Sequence, residues 1–162
     1  MRGSSLRDAV ADSERRQAIA SDAVDEVAVA IDERGGLKGT AAKIGLDTIN
    51  TLRPGFLQRH IAHLLPGMAA AIDPYWSEGE QRGDAPGWLD EQRDDVAEAL
   101  LGVTDAHVDR ATDSAAVAVY QRLRKAAPER VAEQMPRIAS FVERHLANGG
   151  ASEASADGVQ PD

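Results

Sequence analysis

Six large apolar residues recur at helical spacing between positions 57 and 72, and no other pattern in the chain limits the fold as strongly. At about 100° per residue they fall within about 100° of arc, which is one face of an α-helix. The spacing therefore predicts a helix with one buried side. The residues are Leu57, Ile61, Leu64, Leu65, Met68 and Ile72.

Apolar residues at helical spacing continue along the chain, and proline and glycine separate the runs. No run alternates apolar and polar residues as a half-buried strand does. Pro66 and Pro136 fall inside apolar runs, so each predicts either a kink or a break with a restart. The sequence therefore predicts an all-α fold, an irregular bundle of six to eight helices that are Pro-kinked or Pro-broken.

Breaker residues also predict where the longest connection lies. Pro74, Tyr75 and Trp76 are predicted to end the helix that contains Pro66, or to begin another short turn. Residues 77–87 contain three glycines and a proline, which is typical of a loop. We expect the next helix to resume near Trp88.

The length of 162 residues is typical of one domain. We predict a partly helical N-terminal segment over 1–12, a helical domain over 13–147 and a disordered C-terminal tail over 148–162. Val159 is the one large apolar residue of the tail, so little burial would offset the entropy of ordering it.

The net charge is −9, from 27 acidic and 18 basic residues. Binding to nucleic acid or to an anionic membrane requires lysine and arginine to neutralise phosphates, so we expect neither partner. Cysteine is absent, which excludes disulfides and thiolate metal sites. We find no run that fits a signal peptide or a membrane span, and we therefore predict a cytoplasmic protein.

Tyr75, Trp76 and Trp88 are the clustered large aromatic residues, on either side of the predicted loop. Aromatic side chains dominate both protein cores and the centres of interfaces. These three residues are therefore either a lid that closes the bundle or the candidate interaction surface.

His60, His63 and His107 are the residues at which polar chemistry could occur, because histidine titrates near neutral pH and binds metals. His60 and His63 are three positions apart, but a zinc site needs at least one further ligand. Asp105 and Asp109 are too few oxygens for Mg²⁺ or Ca²⁺, so we interpret them as part of a solvated helix face. We predict no catalytic residue, no metal and no cofactor.

Several segments resemble a small family of uncharacterised helical proteins of actinobacteria, over most of residues 13–147. The resemblance implies a helical fold in the cytoplasm of a bacterium. The family has no assigned activity, so no functional residue can be carried over. The segments are Gly39-Thr40-Ala41, Arg53-Pro54, Leu64-Leu65-Pro66, Pro74-Tyr75-Trp76 and 97–105.

These observations favour a non-enzymatic interaction or regulatory protein that binds a protein partner or forms a homo-oligomer. The alternative is a bundle that binds a small molecule or a lipid in an apolar cavity between the Pro-interrupted helices. A third hypothesis is an enzyme, and it requires at least two of the histidines and nearby carboxylates to meet in one cleft.

Overall fold

Nine α-helices and no strand make up the part of the chain that the structure describes. The structure is a computed structural model that describes residues 5–112 and 114–156, with no side-chain detail at 116 or over 148–156. The all-α prediction is confirmed. The helices are α1 (Leu6–Ala11), α2 (Ser13–Arg34), α3 (Gly36–Leu52), α4 (Phe56–Arg82), α5 (Ala85–Glu91), α6 (Arg93–Val108), α7 (Ser114–Arg124), α8 (Ala127–Glu133) and α9 (Met135–Ala156).

The described residues form two compact units, where the sequence predicted one helical domain over 13–147. Unit 1 contains the described residues up to Ala9 and those from Gly67 onward. Unit 2 is Val10–Pro66. Helix α9 runs to Ala156 and so includes the first nine residues of the predicted tail, 148–156. Residues 157–162 of that tail lie outside the described residues.

Unit 2 contains a helical hairpin of α2 and α3. Helix α2 begins after Asp12, whose carboxylate accepts a hydrogen bond from the Arg15 backbone N–H at 2.8 Å. The chain reverses at Gly35 and Gly36, which have φ angles of 59° and 67° that favour glycine. Gly39 is buried where α3 meets α2, and a Cβ there would lie 3.3 Å from the Ile31 carbonyl oxygen.

Unit 1 contains a core of larger side chains. Helix α6 packs on α8, and α5 packs on α9. Leu89 of α5, Val96 of α6 and Met135 of α9 are fully buried. Gly67 of α4 lies against Val103 of α6, which brings α4 close to this core. Burial of such side chains is the main stabilising term for a chain that has no disulfide.

Two of the prolines behave differently from each other. Helix α4 continues through Pro66 and also through Pro74, so the prediction that Pro74, Tyr75 and Trp76 end the helix is wrong. Pro136 instead stands at the second position of α9, after a turn at Gln134, and the chain breaks and restarts there. A proline in a first turn removes no hydrogen bond, because those N–H groups have no partner within the helix.

The predicted long loop over 77–87 is also wrong, because α4 continues to Arg82 and only Gly83 and Asp84 precede α5. The helix ends in a Schellman motif: the Asp84 N–H donates to the Gly79 carbonyl at 3.0 Å, and the Gly83 N–H donates to Glu80 at 3.1 Å. Gly83 has a φ of 86°. The Asp84 carboxylate then caps α5 by accepting from the Gly87 N–H at 2.9 Å.

Gly79 explains why the breaker residues misled the sequence interpretation. It lies inside α4 and is buried, and a Cβ at this position would be 2.6 Å from the Ala85 Cα and 2.9 Å from the Trp88 Cβ. Glycine is therefore required by the close approach of α5 to α4, and it does not mark a loop.

Candidate functional site

Helix α3 exposes large apolar side chains that the rest of unit 2 does not cover. Leu37 is 91% exposed, Ile44 is 61% exposed and Leu52 is 75% exposed. Gly39 is the buried residue of this helix, and Leu46 is half-buried. Apolar residues in a helix of a globular protein usually face its core, so this arrangement is the reverse of the expected one.

Seven of the exposed residues of α3 share one face, and they include its three most exposed large apolar side chains. At about 100° per residue, these seven fall within about 120° of arc, and Gly39 and Leu46 lie on the opposite side, toward α2. We call this set the α3 stripe. It consists of Leu37, Thr40, Ala41, Ile44, Thr48, Thr51 and Leu52.

The threonines do not make the α3 stripe polar. The hydroxyls of Thr40, Thr48 and Thr51 donate to the carbonyl oxygens of the residues four positions earlier, at 3.0, 2.7 and 2.8 Å. Each hydroxyl therefore already has an acceptor within its own helix. A partner that covers this face would not leave these three donors unsatisfied.

Charged side chains flank the α3 stripe and do not interrupt it. Helix α3 contains Lys38, Lys43 and Asp47, in a chain whose net charge is −9. The Lys43 Nζ lies 3.2 Å from a carboxylate oxygen of Asp32 in α2 and so links the two helices. Both side chains are largely exposed, so this ion pair contributes little to stability.

A second feature, in unit 1, is a polar cluster that joins α6 to α7. The Tyr120 hydroxyl donates to Asp105 at 2.7 Å, and the Arg124 Nε donates to Asp105 at 3.0 Å. The Arg124 Nη2 also donates to Glu98 at 2.9 Å. The Asp105 side chain is 38% exposed, so it keeps contact with solvent as predicted, but the sequence did not predict these hydrogen bonds. Its partners lie 15 and 19 positions away, a separation that no local pattern indicates.

The protonation equilibria of this cluster follow from its hydrogen bonds. The Arg124 guanidinium, followed by the Tyr120 hydroxyl, lowers the pKa of Asp105 below its ordinary value. Burial and the hydrogen bond to the Asp105 carboxylate raise the pKa of Tyr120 to about 12. The bonds to Asp105 and Glu98 raise the pKa of Arg124. The cluster is fixed in one charge state near neutral pH, which suits a structural link better than acid–base catalysis.

The structure places the predicted aromatic residues in and beside the packing of α4 on α5. Trp76 is 7% exposed and belongs to the core of unit 1. Tyr75 and Trp88 are half-buried. The Arg82 guanidinium lies 3.8 Å from the centre of the Trp88 ring, and Glu78 holds that guanidinium at 2.8 Å. Of the three residues in the predicted interaction surface, only Tyr75 and Trp88 are therefore partly accessible to solvent.

The three histidines are distributed over both units. His60 and His63 belong to unit 2, and His107 belongs to unit 1. The His60 ring stacks on Phe56 with 6.0 Å between ring centres, while His63 is exposed and His107 is half-buried. Within the described ranges, no group of three or more histidine, aspartate or glutamate residues is placed to hold a metal ion.

An open groove of about 440 Å³ lies between α6 and α8 in unit 1. Four carboxylates line it together with one arginine, which is bonded to Asp90 at 2.8 Å. Such a lining does not suit a lipid tail, which requires apolar walls. The lining residues are Arg93, Asp94, Glu98, Pro128, Glu129, Ala132 and Glu133.

These features define a small all-α protein in which a helical hairpin exposes apolar surface. None of the helices in the described part of the chain is long and apolar enough to cross a membrane. The chain belongs to the family of unknown function DUF6918, whose model matches residues 6–146. The predicted resemblance to an uncharacterised family is thereby confirmed. No curated protein and no solved structure shows a significant match to the chain.

Proposed function

We propose that this chain is a non-enzymatic interaction protein and that the α3 stripe is the surface on which a protein partner binds. The observation that carries this proposal is the exposure of Leu37, Ile44 and Leu52 on one helix face. Contiguous apolar surface is costly to leave in water, and on soluble proteins it marks binding sites.

The spacing within the α3 stripe suits a helical partner. Its central members follow one another at intervals of four, three and four residues, from Leu37 through Ala41 and Ile44 to Thr48. This is the alternation found along the seam of two packed helices. A helix laid along α3 would bury the stripe over its whole length.

The other functions predicted from the sequence have less support. A bundle that binds a lipid needs an apolar cavity, and the groove between α6 and α8 is lined by carboxylates. An enzyme that used His107 together with His60 or His63 would have to draw them from two units, and His63 is exposed. We further propose that the protein acts in the cytoplasm of a bacterium, in keeping with its net charge of −9 and its lack of cysteine.

The test uses the full chain as bait in extract of its host and compares three forms. Ile44→Glu places a charge at the centre of the α3 stripe, where the native residue is 61% exposed. Val119→Glu is the matched control, because Val119 is 58% exposed in α7 and lies outside the stripe. Both substitutions leave the buried cores intact.

We expect the wild-type chain and Val119→Glu to retain the same partner, whether another protein or an added tagged copy of this chain. Ile44→Glu should lose it, because burying an unpaired carboxylate is unfavourable. Equal retention by all three forms, or loss with Val119→Glu in place of Ile44→Glu, would contradict the proposal.

A further inference from the structure

We propose that the partner of the α3 stripe is the α3 stripe of a second copy of this chain, so that the protein is a two-fold symmetric homodimer with antiparallel α3 helices. This inference rests on the proposed function and specifies the partner. A two-fold interface requires a patch that is complementary to itself. The α3 stripe meets that requirement in its spacing, in its charge and in its area.

Two pairs of stripe residues, Leu37 with Leu52 and Ala41 with Thr48, are placed symmetrically about the centre of the stripe. Leu37 and Leu52 lie seven positions on either side of the Ile44–Gly45 pair. An antiparallel copy centred on that pair therefore places Leu37 of one chain opposite Leu52 of the other, with the two Ile44 residues adjacent between them. Gly45 is exposed, with no atom within 4 Å of the position of a Cβ, so the second helix can approach closely here.

Charge favours the antiparallel arrangement over the parallel one. Lys43 and Asp47 lie on the same flank of the stripe, one turn apart. Antiparallel pairing places Lys43 of one copy within about one turn of Asp47 of the other, and the symmetry repeats the contact. A parallel pair makes no such contact, because residues on the same flank of two parallel helices lie on opposite sides of the seam.

Net charge also favours α3 as the face on which two copies meet. The chain carries −9, so two copies repel one another over most of their surfaces. Helix α3 has two lysines and one aspartate and is therefore slightly basic. An anionic membrane is a poorer fit, because α3 carries only two lysines, whereas segments that bind anionic lipid carry roughly four to eight basic residues.

The exposed area of the stripe predicts a weak dimer. Its large apolar side chains are three, Leu37, Ile44 and Leu52, so a pair of stripes would bury an area near the lower limit for a specific interface, which is about 1,000 Å² in total. Interfaces of this size usually belong to transient complexes. We therefore expect a dissociation constant in the micromolar range.

The first test is sedimentation equilibrium of the full chain across the micromolar range. The wild-type chain and Val119→Glu should pass from monomer to dimer as concentration rises. Ile44→Glu should weaken the dimer by about a hundredfold or more, because the symmetry brings two buried carboxylates together. A wild-type chain that stays monomeric, or a dimer that Val119→Glu disrupts and Ile44→Glu does not, would overturn the inference.

The second test determines the direction of pairing and uses the absence of native cysteine. Leu37→Cys and Leu52→Cys are prepared separately and then mixed under mild oxidation. The antiparallel dimer should form a disulfide in the mixture and much less with either variant alone. Disulfide formation by each variant alone, with none gained on mixing, would indicate parallel helices. A dimer by sedimentation that forms no disulfide in the mixture would likewise overturn the antiparallel arrangement.

The two proposals fail in distinguishable ways. A monomeric chain that binds a different protein, or vesicles containing anionic lipid, and loses that binding in Ile44→Glu would overturn the homodimer. Binding of a different protein in this way would leave the proposed function intact. A monomeric chain with no binding that depends on Ile44 would overturn both.

Discussion

Gly79 shows at the scale of one residue how closely α4 and α5 pack. A Cβ at this position would lie 2.6 Å from the backbone Cα of Ala85, which cannot move away as a flexible side chain could. Gly79→Ala is therefore expected to lower the free energy of unfolding by about 2 kcal/mol, as overpacking does. Urea-induced unfolding followed by circular dichroism measures the change.

Gly102→Ala is the matched control, because Gly102 lies in the interior of α6 and has no atom within 4 Å of the position of a Cβ. Alanine is the better helix former there, so this variant should be more stable by about 0.5–1 kcal/mol. A change of the same sign in both variants would show that helix propensity, not the approach of α5, determines the effect at Gly79.

Asp105 accepts hydrogen bonds from Tyr120 and Arg124, so its ionised form contributes to stability. Its pKa is lowered in the folded state. The contribution is therefore complete above the unfolded-state pKa of about 4 and is lost as the pH falls through the lower folded-state pKa. Asp105→Asn should cost about 1 kcal/mol at pH 7, since the site is partly exposed, and progressively less at acidic pH.

The measurement for Asp105→Asn is urea-induced unfolding of the variant and the wild-type chain at several pH values. Asp109→Asn serves as the control, because Asp109 is exposed at the C-terminal end of α6, where a negative charge is unfavourable. That variant should be unchanged or slightly more stable. If the loss in free energy of unfolding caused by Asp105→Asn did not diminish below about pH 4, the charge of Asp105 would not be the source of its contribution to stability.

At the scale of elements, Pro66 and Pro136 offer a comparison within one chain. Pro66 lies inside α4, where a proline lacks the N–H that would bond to Ala62 four residues earlier. Pro66→Ala restores that hydrogen bond and should raise the free energy of unfolding by about 1–2 kcal/mol, after allowance for the greater freedom of the unfolded chain.

Pro136→Ala is expected to have no stabilising effect, because the second residue of α9 needs no partner within the helix. It should leave stability unchanged or lower it by up to about 1 kcal/mol. Thermal unfolding of both variants tests the pair. If Pro136→Ala raised the stability as much as Pro66→Ala does, the two prolines would have equivalent effects, and their different positions in the helices would not explain their roles.

The sequence predicted the presence of helices better than it predicted where they end and which helices they pack against. The apolar period between residues 57 and 72 depends on local spacing, and the helix it predicts is present as part of α4. The loop over 77–87 was inferred from Gly79, Gly83, Gly87 and Pro86, but of these glycines only Gly83 has the positive φ that a turn requires. Whether a glycine permits a turn or a close approach depends on a partner helix, which local sequence does not specify.

The candidate site could be predicted only in part, for a related reason. Periodicity indicates which face of α3 is apolar, but it does not indicate whether the covering surface belongs to the same chain. The cluster of Asp105, Tyr120 and Arg124 was missed because its members are distant in sequence. The predicted aromatic surface contained Trp76, which the fold buries in unit 1.

At the scale of the whole molecule, the two units differ in how much apolar surface they bury. Helix α6 of unit 1 buries Val96, Ala97, Leu100 and Leu101. Helix α3 of unit 2 buries only Gly39, which has no side chain. Because local opening is governed by buried contacts, α3 should open at a lower free energy than α6.

Amide hydrogen exchange measures this difference directly. At low protein concentration, the amides of α3 should exchange faster than those of α6, because few buried contacts oppose their opening. Pairing through the α3 stripe would slow that exchange as concentration rises, since binding stabilises the closed state. The dependence on concentration should disappear in Ile44→Glu and persist in Val119→Glu. If the amides of α3 exchanged as slowly as those of α6 at the lowest concentration, the hairpin of α2 and α3 would be stable in the monomer. The α3 stripe would then need no partner to prevent local opening of the helix.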